Sequence, residues 1–416
     1  MSPTPRLAVL LAAVSVTAIV LPLWICGVAA LVLVGAAIAD ALHVRKQPVV
    51  DRTLPAMIAR GVPADFALTL GELPQGVSAR VRQPLPPDVG LTPSTGDGAL
   101  SGILVARRRG RHLLPRPAVR LEGPLKLGSW LHRSGDDTEI LVYPDVYAAA
   151  RIAAAVRSGR FQDASGAHRG PVGLGTEFES IRDYQPDDDI RQVNWLATAR
   201  SGRTMSNTYR VDQDRTIVCL VDAGRLMAAP IDGRTRMDAA VDAAVAVSAV
   251  ADEVGDAVGA IAFDGALRRS VPAARRGSRS VIHALVDLEP SMLESDYELA
   301  FRRVGSTKRS LVIVFTDLLD AAAARTLIDA VPVMVRRHAV MITSVTDSDL
   351  IELRGRPPQS AADASEQAAA IDLLESRLLA IATLRRAGAV VVEASANGLP
   401  AATVSAYLRL KRAARI

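Results

Sequence analysis

Two carboxylates stand where a buried sheet could present them to a ligand. Asp222 closes the apolar run Thr216 to Val221, and Asp317 follows Ser310 to Thr316 in the sequence FTDLLD. Such residues offer hard oxygens to a divalent cation, or cap helices, or pair with an arginine such as Arg225. A second acidic group, Asp183, Asp187, Asp188 and Asp189, has Arg182 and Arg191 in its midst and lacks the spacing of a calcium loop, so internal ion pairing is the simpler account. The glycines between Gly170 and Gly175 suggest a phosphate loop, but no Gly-Lys-Ser/Thr and no strand-to-helix step follows. The six histidines are scattered without ligand or triad spacing, so no catalytic set emerges and the chain reads as a non-enzyme.

The elements that must position these acids form an alternating series. Strands are expected over Thr216–Val221, Ala257–Phe263, Ser310–Thr316, Ala339–Val345 and Ala389–Glu393. Helices are expected over Met237–Glu253, Ser280–Leu288, Tyr297–Val304, Asp320–Ala330, Glu366–Ala387 and Pro400–Arg412. Alternation of this kind implies a mostly parallel sheet covered on both faces, whose ligands bind beyond the carboxyl ends of the strands, where Asp222 and Asp317 fall. Asp264-Gly265 is a hairpin turn signal, and Leu353 to Ala370 reads as a loop.

Ahead of this lies a run of spaced polar, aromatic and glycine residues: Gly173, Gly175, Glu177, Phe178, Arg182, Tyr184, Asp188, Arg191, Val193, Trp195 and the Thr198-Ala199-Arg200 close. It resembles the hallmark of the family catalogued as "domain of unknown function 58", with Asp187 standing where that family usually has glycine. The resemblance implies a von Willebrand factor A-like, Rossmann-like doubly wound α/β domain and association with a MoxR-type AAA+ ATPase. It also implies a comparison with that fold's metal-dependent adhesion site, whose first loop is Asp-x-Ser-x-Ser. Here Asp222-Ala223-Gly224-Arg225-Leu226 has lost both serines, so Mg²⁺ binding is expected to be weak, with Asp222 and Asp317 the ligands if any and Ser278 or Ser280 as a hydroxyl source. The resemblance thus favours a docking module with Arg225 as its interaction candidate; the alternative is a Mg²⁺-dependent ligand-binding domain. The hallmark run itself reads as a clasp, with Tyr184 and Trp195 pinning an irregular segment to a folded neighbour, or else as a partner-binding face.

At 416 residues the chain is long enough for two or three domains. Its aromatics are only 4% against 49% hydrophobic residues, so packing is aliphatic. A net charge of +5 suits a surface near anionic lipid and does not argue for nucleic acid. Cys26 and Cys219, both in apolar runs, read as buried thiols.

Between Leu7 and Ala39 there is no charge. Pro22 breaks this run near its middle, which favours a transmembrane hairpin over a single tilted span or a cleaved signal. Arg6 and Arg45 with Lys46 then share one side, making the soluble parts cytoplasmic. From Gln47 to Val146, strand candidates Ala64–Leu70, Val77–Arg82, Leu100–Ala106, Ala118–Leu121 and Glu139–Tyr143 separated by turn residues predict a small β-sandwich of immunoglobulin-like type. The basic run Arg107 to Arg111 reads as a solvated hairpin tip. The expected domains are therefore 1–46 (hairpin), 47–146 (sandwich), 147–210 (linker helix and hallmark run) and 211–416 (α/β domain).

Overall fold

The computed structural model describes residues 1–161, 177–185, 192–210, 215–305, 309–318 and 324–413. The chain is a mixed α/β protein that divides into two compact units, Met1–Tyr143 and Pro144–Ile416.

The first unit opens with two apolar helices, α1 (Pro5–Thr17) and α2 (Leu23–His43), packed side by side across a short turn at Pro22. α2 is long and apolar enough to cross a membrane. The β part comprises three sheets. One places Ser2–Pro3, Gly128–Arg133, Ala118–Glu122, Ser78–Arg82 and Thr95–Asp97 side by side; another holds Val50–Thr53, Ala64–Leu70, Ala99–Ala106 and Val89–Thr92; the third holds Met57–Ala59, Thr138–Tyr143 and Gly110–Leu114. Inward residues of all three, among them Phe66, Leu68, Val81, Leu104, Val119 and Ile140, form one apolar cluster. The period-two alternation of buried and less buried positions along Ser78–Arg82 and Thr138–Tyr143 is what a half-buried strand requires. Arg107 to Arg111 is not a solvated hairpin tip. It carries the chain from Ala99–Ala106 in one sheet to Gly110–Leu114 in another, with Arg109 only 2% exposed and Arg111 paired with Glu139 across the strands.

The second unit is built on a six-stranded sheet whose strands, in chain order, are β1 (Thr216–Asp222), β2 (Ala257–Phe263), β3 (Leu267–Arg275), β4 (Leu311–Phe315), β5 (Ala339–Val345) and β6 (Val390–Ala394). They lie in the order β3-β2-β1-β4-β5-β6, all parallel except β3, which returns antiparallel beside β2. The chain order reverses between β1 and β4, and the crevice at such a reversal is where sheets of this kind receive ligands.

Side chains on β1 alternate between two apolar layers. Ile217, Cys219 and Val221 join one cluster, while Leu220 joins the other with Val218 packed beside it. The first layer contains α3 (Val146–Arg157), α5 (Arg236–Val254), α6 (Ser278–Leu285) and α11 (Leu399–Arg412); the second contains α7 (Tyr297–Val304), α8 (Arg325–Val335) and α10 (Ala361–Arg386). α5 is buried on nearly every side, which its run of small alanines permits. Thr235 and Asp238 close a reciprocal capping box at its start, and Gly255 in the left-handed region ends it. The stretch expected as a loop over Leu353 to Ala370 is instead two helices, α9 (Ser348–Gly355) and the start of α10. Asp347 and Ser360 cap them and only the short link Arg356 to Ser360, with Pro357-Pro358 in it, separates them, so capping chemistry outweighed the poor apolar pattern.

Candidate functional site

The carboxyl end of the sheet gathers three acids: Asp222 at the end of β1, Asp264 just after β2 and Asp317 just after β4, all nearly inaccessible to solvent. Asp222 is held by neutral donors. Its Oδ1 accepts the Gly224 N–H at 2.8 Å and the Ser295 hydroxyl at 2.5 Å; its Oδ2 lies 2.8 Å from the Tyr297 hydroxyl and 2.6 Å from that of Thr316. Burial, and next the charge of Asp222, push the Tyr297 phenol well above its ordinary value, so it remains a donor.

Gly224 explains how this corner is assembled. A Cβ there would lie 2.1 Å from Ser295 Oγ, so the space a residue-224 side chain would fill is taken by a hydroxyl arriving from the loop before α7. The oxygen absent from the first loop is thus supplied by Ser295, and Thr316 adds another. Sequence reading looked for it at Ser278 or Ser280, but Ser278 donates to Asp252 at the start of α6, and Ser280 is exposed. Nothing local marks Ser295, because the contact joins residues 73 positions apart.

Asp317 is held by charge. Arg236, the first residue of α5, approaches its Oδ2 at 2.5 Å, and Arg377 of α10 approaches its Oδ1 at 3.4 Å. Arg236 also pairs with Asp347, and Arg377 with Glu393, the Ser344 hydroxyl and the Val345 carbonyl. Since α5 and α10 belong to opposite layers, Asp317 is the point where the two meet. Asp264 forms a third arrangement. Burial pushes its carboxyl up, but hydrogen bonds from Arg268, Ser291 and the Ala266 N–H outweigh this and hold it below the usual value of 3.8.

These contacts correct the expected roles. Among the described residues neither Asp222 nor Asp317 pairs with Arg225 or caps a helix; Arg225 reaches outward to Glu294 at 2.6 Å, and its backbone N–H donates to the Leu293 carbonyl. Around them the loops form an exposed rim that includes Leu267, Met292 and Leu293. A divalent ion at Asp222 and Asp317 would have to displace three hydroxyl donors from one carboxylate and two guanidiniums from the other. Among the described residues no group of three or more His, Cys, Asp or Glu is placed to hold a metal ion.

The hallmark run is more regular than expected. Glu177–Asp183 pairs antiparallel with Met205–Arg210, and α4 (Trp195–Ser201) lies between them. Asn194 caps α4 through the Ala197 N–H and also donates to Asn207, while the Thr198 hydroxyl accepts the Met205 N–H. Tyr184 is half-buried, its N–H donating to the Thr204 carbonyl, and Arg182 and Arg200 are exposed. Trp195 does not pin the segment down: it is 70% exposed, with Leu196 exposed beside it. Glu177 and Phe178 lie in the strand, whereas Gly173, Gly175, Asp187, Asp188, Asp189 and Arg191 lie outside the described residues.

Residues 180–375 match the model of the family described as "Protein of unknown function DUF58". Uncharacterized proteins of Mycobacterium bovis and Mycobacterium tuberculosis are 27% identical over 199 residues, a match covering 45% of this chain and 61% of theirs. Two solved structures align with small parts of the chain at a TM-score of 0.14. A cohesin module from a Clostridium perfringens glycoside hydrolase is 8% identical, covering 23% of this chain and 96% of its own; a PKD domain of an M14-like peptidase from a Thermoplasmatales archaeon is 10% identical, covering 22% and 98%. Similarity at that score carries no fold assignment.

Proposed function

We propose that this chain is a membrane-anchored, non-catalytic interaction module. In this reading a small β-sandwich of immunoglobulin-like type and a von Willebrand factor A-like domain stand on the cytoplasmic side of an apolar helical hairpin, and a partner docks on the carboxyl-end rim of the large sheet. One observation supports this above all. The acids at that end are committed to internal donors and guanidiniums, while the surface around them exposes Met292, Leu293 and the Arg225–Glu294 pair. Exposed apolar side chains rimmed by charge suit a protein surface better than a small ligand. The partner class implied by the family resemblance is a MoxR-type AAA+ ATPase.

A photo-crosslinking residue at Met292, in full-length protein in native membranes, tests the proposal. Adducts containing an AAA+ subunit are expected. Adducts from a distant surface position with none from Met292 would remove the rim as the docking face. The alternative, a Mg²⁺-dependent ligand-binding domain, draws support from the hydroxyls of Ser295 and Thr316 beside Asp222. Calorimetric titration with Mg²⁺, repeated on Asp222→Asn, separates the two: heat that vanishes in the variant belongs to the alternative.

A further inference from the structure

We infer that the α1–α2 hairpin is re-entrant, with its tip ending inside the hydrocarbon and both of its ends on the side it entered from. This rests on the membrane-anchored reading above and adds the path the chain takes through the bilayer.

The base of the hairpin is fixed to the β part. Asp40, 4% exposed near the end of α2, accepts backbone N–H groups of Leu125, Leu127 and Gly128 at 3.0, 2.9 and 3.0 Å. Lys126 lies in the left-handed region within that turn, and a Cβ on Gly123 would strike the Asp40 carboxylate. A Cβ on Gly128 would strike the backbone at Ala37 and Ala41. At the other base, the Thr4 hydroxyl donates to the Lys126 carbonyl at 2.5 Å, and Leu7 packs with Ala37 and Leu127. One face of the last two turns of α2 is therefore covered by protein, while Ile38 and Leu42 stay exposed. The shorter limb sets the depth: α1, Pro5–Thr17, is 13 residues or roughly 20 Å of helix, against a hydrocarbon thickness of about 30 Å.

The tip is composed to stay out of water. The turn is Ala18-Ile19-Val20-Leu21-Pro22, with Ile19 84% and Val20 85% exposed. Part of its backbone is paired locally: the Ile19 N–H donates to the Val16 carbonyl, those of Val20 and Leu21 to Thr17, and those of Ile25 and Cys26 to Pro22. The Ser15 and Thr17 hydroxyls likewise donate to carbonyls of their own helix. Local pairing of these groups lowers the cost of placing the tip in hydrocarbon, and no side chain from Ala18 to Leu23 is polar, unlike a loop made to stand in water. The first basic residues on either side, Arg6 and Arg45 with Lys46, are exposed at the base, at the level where anionic headgroups would lie.

The test uses full-length protein in phosphatidylcholine–phosphatidylglycerol vesicles, with Trp130→Phe and Trp195→Phe leaving Trp24 as the reporter. A crossing hairpin would place this ring among the far headgroups, where such rings settle. Bromines near the acyl-chain ends should quench Trp24 at least twofold more than bromines near the headgroup; the reverse order overturns the proposal. Independently, Ile19→Cys in a Cys26→Ser background should resist a membrane-impermeant maleimide in sealed vesicles and react once detergent is added. Labelling from the face opposite the soluble units would overturn the re-entrant path while leaving the anchor intact. Release of the chain by alkaline carbonate would overturn both.

Discussion

The two corners of the large sheet's carboxyl end hold equivalent carboxylates by opposite means. Asp222 is surrounded by three hydroxyls and one backbone N–H, with no cation among those contacts, while Asp317 sits between two guanidiniums. The contrast follows position. The β1 corner lies under the surface loops, where hydroxyl-bearing side chains from the loop before α7 can reach it. The β4 corner lies where helices from both layers converge, and long arginine side chains from α5 and α10 bridge the gap. One corner fixes a loop to a strand, and the other fixes two helical layers to each other.

Substitutions should expose this difference. Arg236→Met strands buried Asp317 and half-buried Asp347 without their shared partner, and breaking a buried pair from one side costs about 3–5 kcal/mol. Urea unfolding of the detergent-solubilised protein followed by circular dichroism measures it, and a loss under about 1 kcal/mol would mean that Arg377 alone suffices.

Gly224→Ala should cost about 1–3 kcal/mol by collision with the Ser295 hydroxyl. Combining it with Ser295→Ala should recover part of that loss. Strict additivity of the two changes would break the account of the β1 corner. Tyr297→Phe removes one donor but leaves the Thr316 hydroxyl on the same oxygen, so roughly 1 kcal/mol is expected in the same unfolding assay.

Asp264 lies between these cases, with one exposed-side arginine and two neutral donors. Its folded pKa lies below the unfolded value near 3.8, so its contribution is complete above that value and is lost as pH falls through it toward the folded pKa. Asp264→Asn should therefore lower stability at neutral pH and flatten the acid limb of a stability-versus-pH curve below about pH 4, so that the gap from the parent protein narrows as pH falls. The smallest expected effect is that of Mg²⁺: thermal midpoints with millimolar Mg²⁺ and with chelator should coincide. An ion bound at a hundred times its Kd would add about 2.7 kcal/mol and would be visible at once.

How much of this could be read beforehand depended on the range of the forces involved. β2, β5 and α7 occupy the spans their apolar periodicity predicted, and β1, β4 and β6 differ by a residue or two at their ends, because buried strands announce themselves locally. β3 was missed: Leu267–Arg275 is rich in arginine and contains Pro272, as an edge strand tolerates, and only the Asp264-Gly265 turn hinted at it. Short strands such as Met57–Ala59 and Thr95–Asp97 carry too few residues for any period to appear. At the candidate site the two acids were legible because each ends an apolar run. Their partners were not, since Ser295, Arg236 and Arg377 reach them from 60 to 81 residues away and each looks ordinary in its own neighbourhood.

The Asp40 contact also sets an order of events during synthesis. When α2 leaves the ribosome its carboxylate has no partner, because the amide groups that will receive it lie up to 88 residues further along. At about 5–20 residues per second, that is a delay of roughly 4–18 seconds. Until then α2 is an apolar helix with an unpaired acid near its end, and the turn from Gly123 to Gly128 both receives that acid and joins the helix to the β part of the first unit.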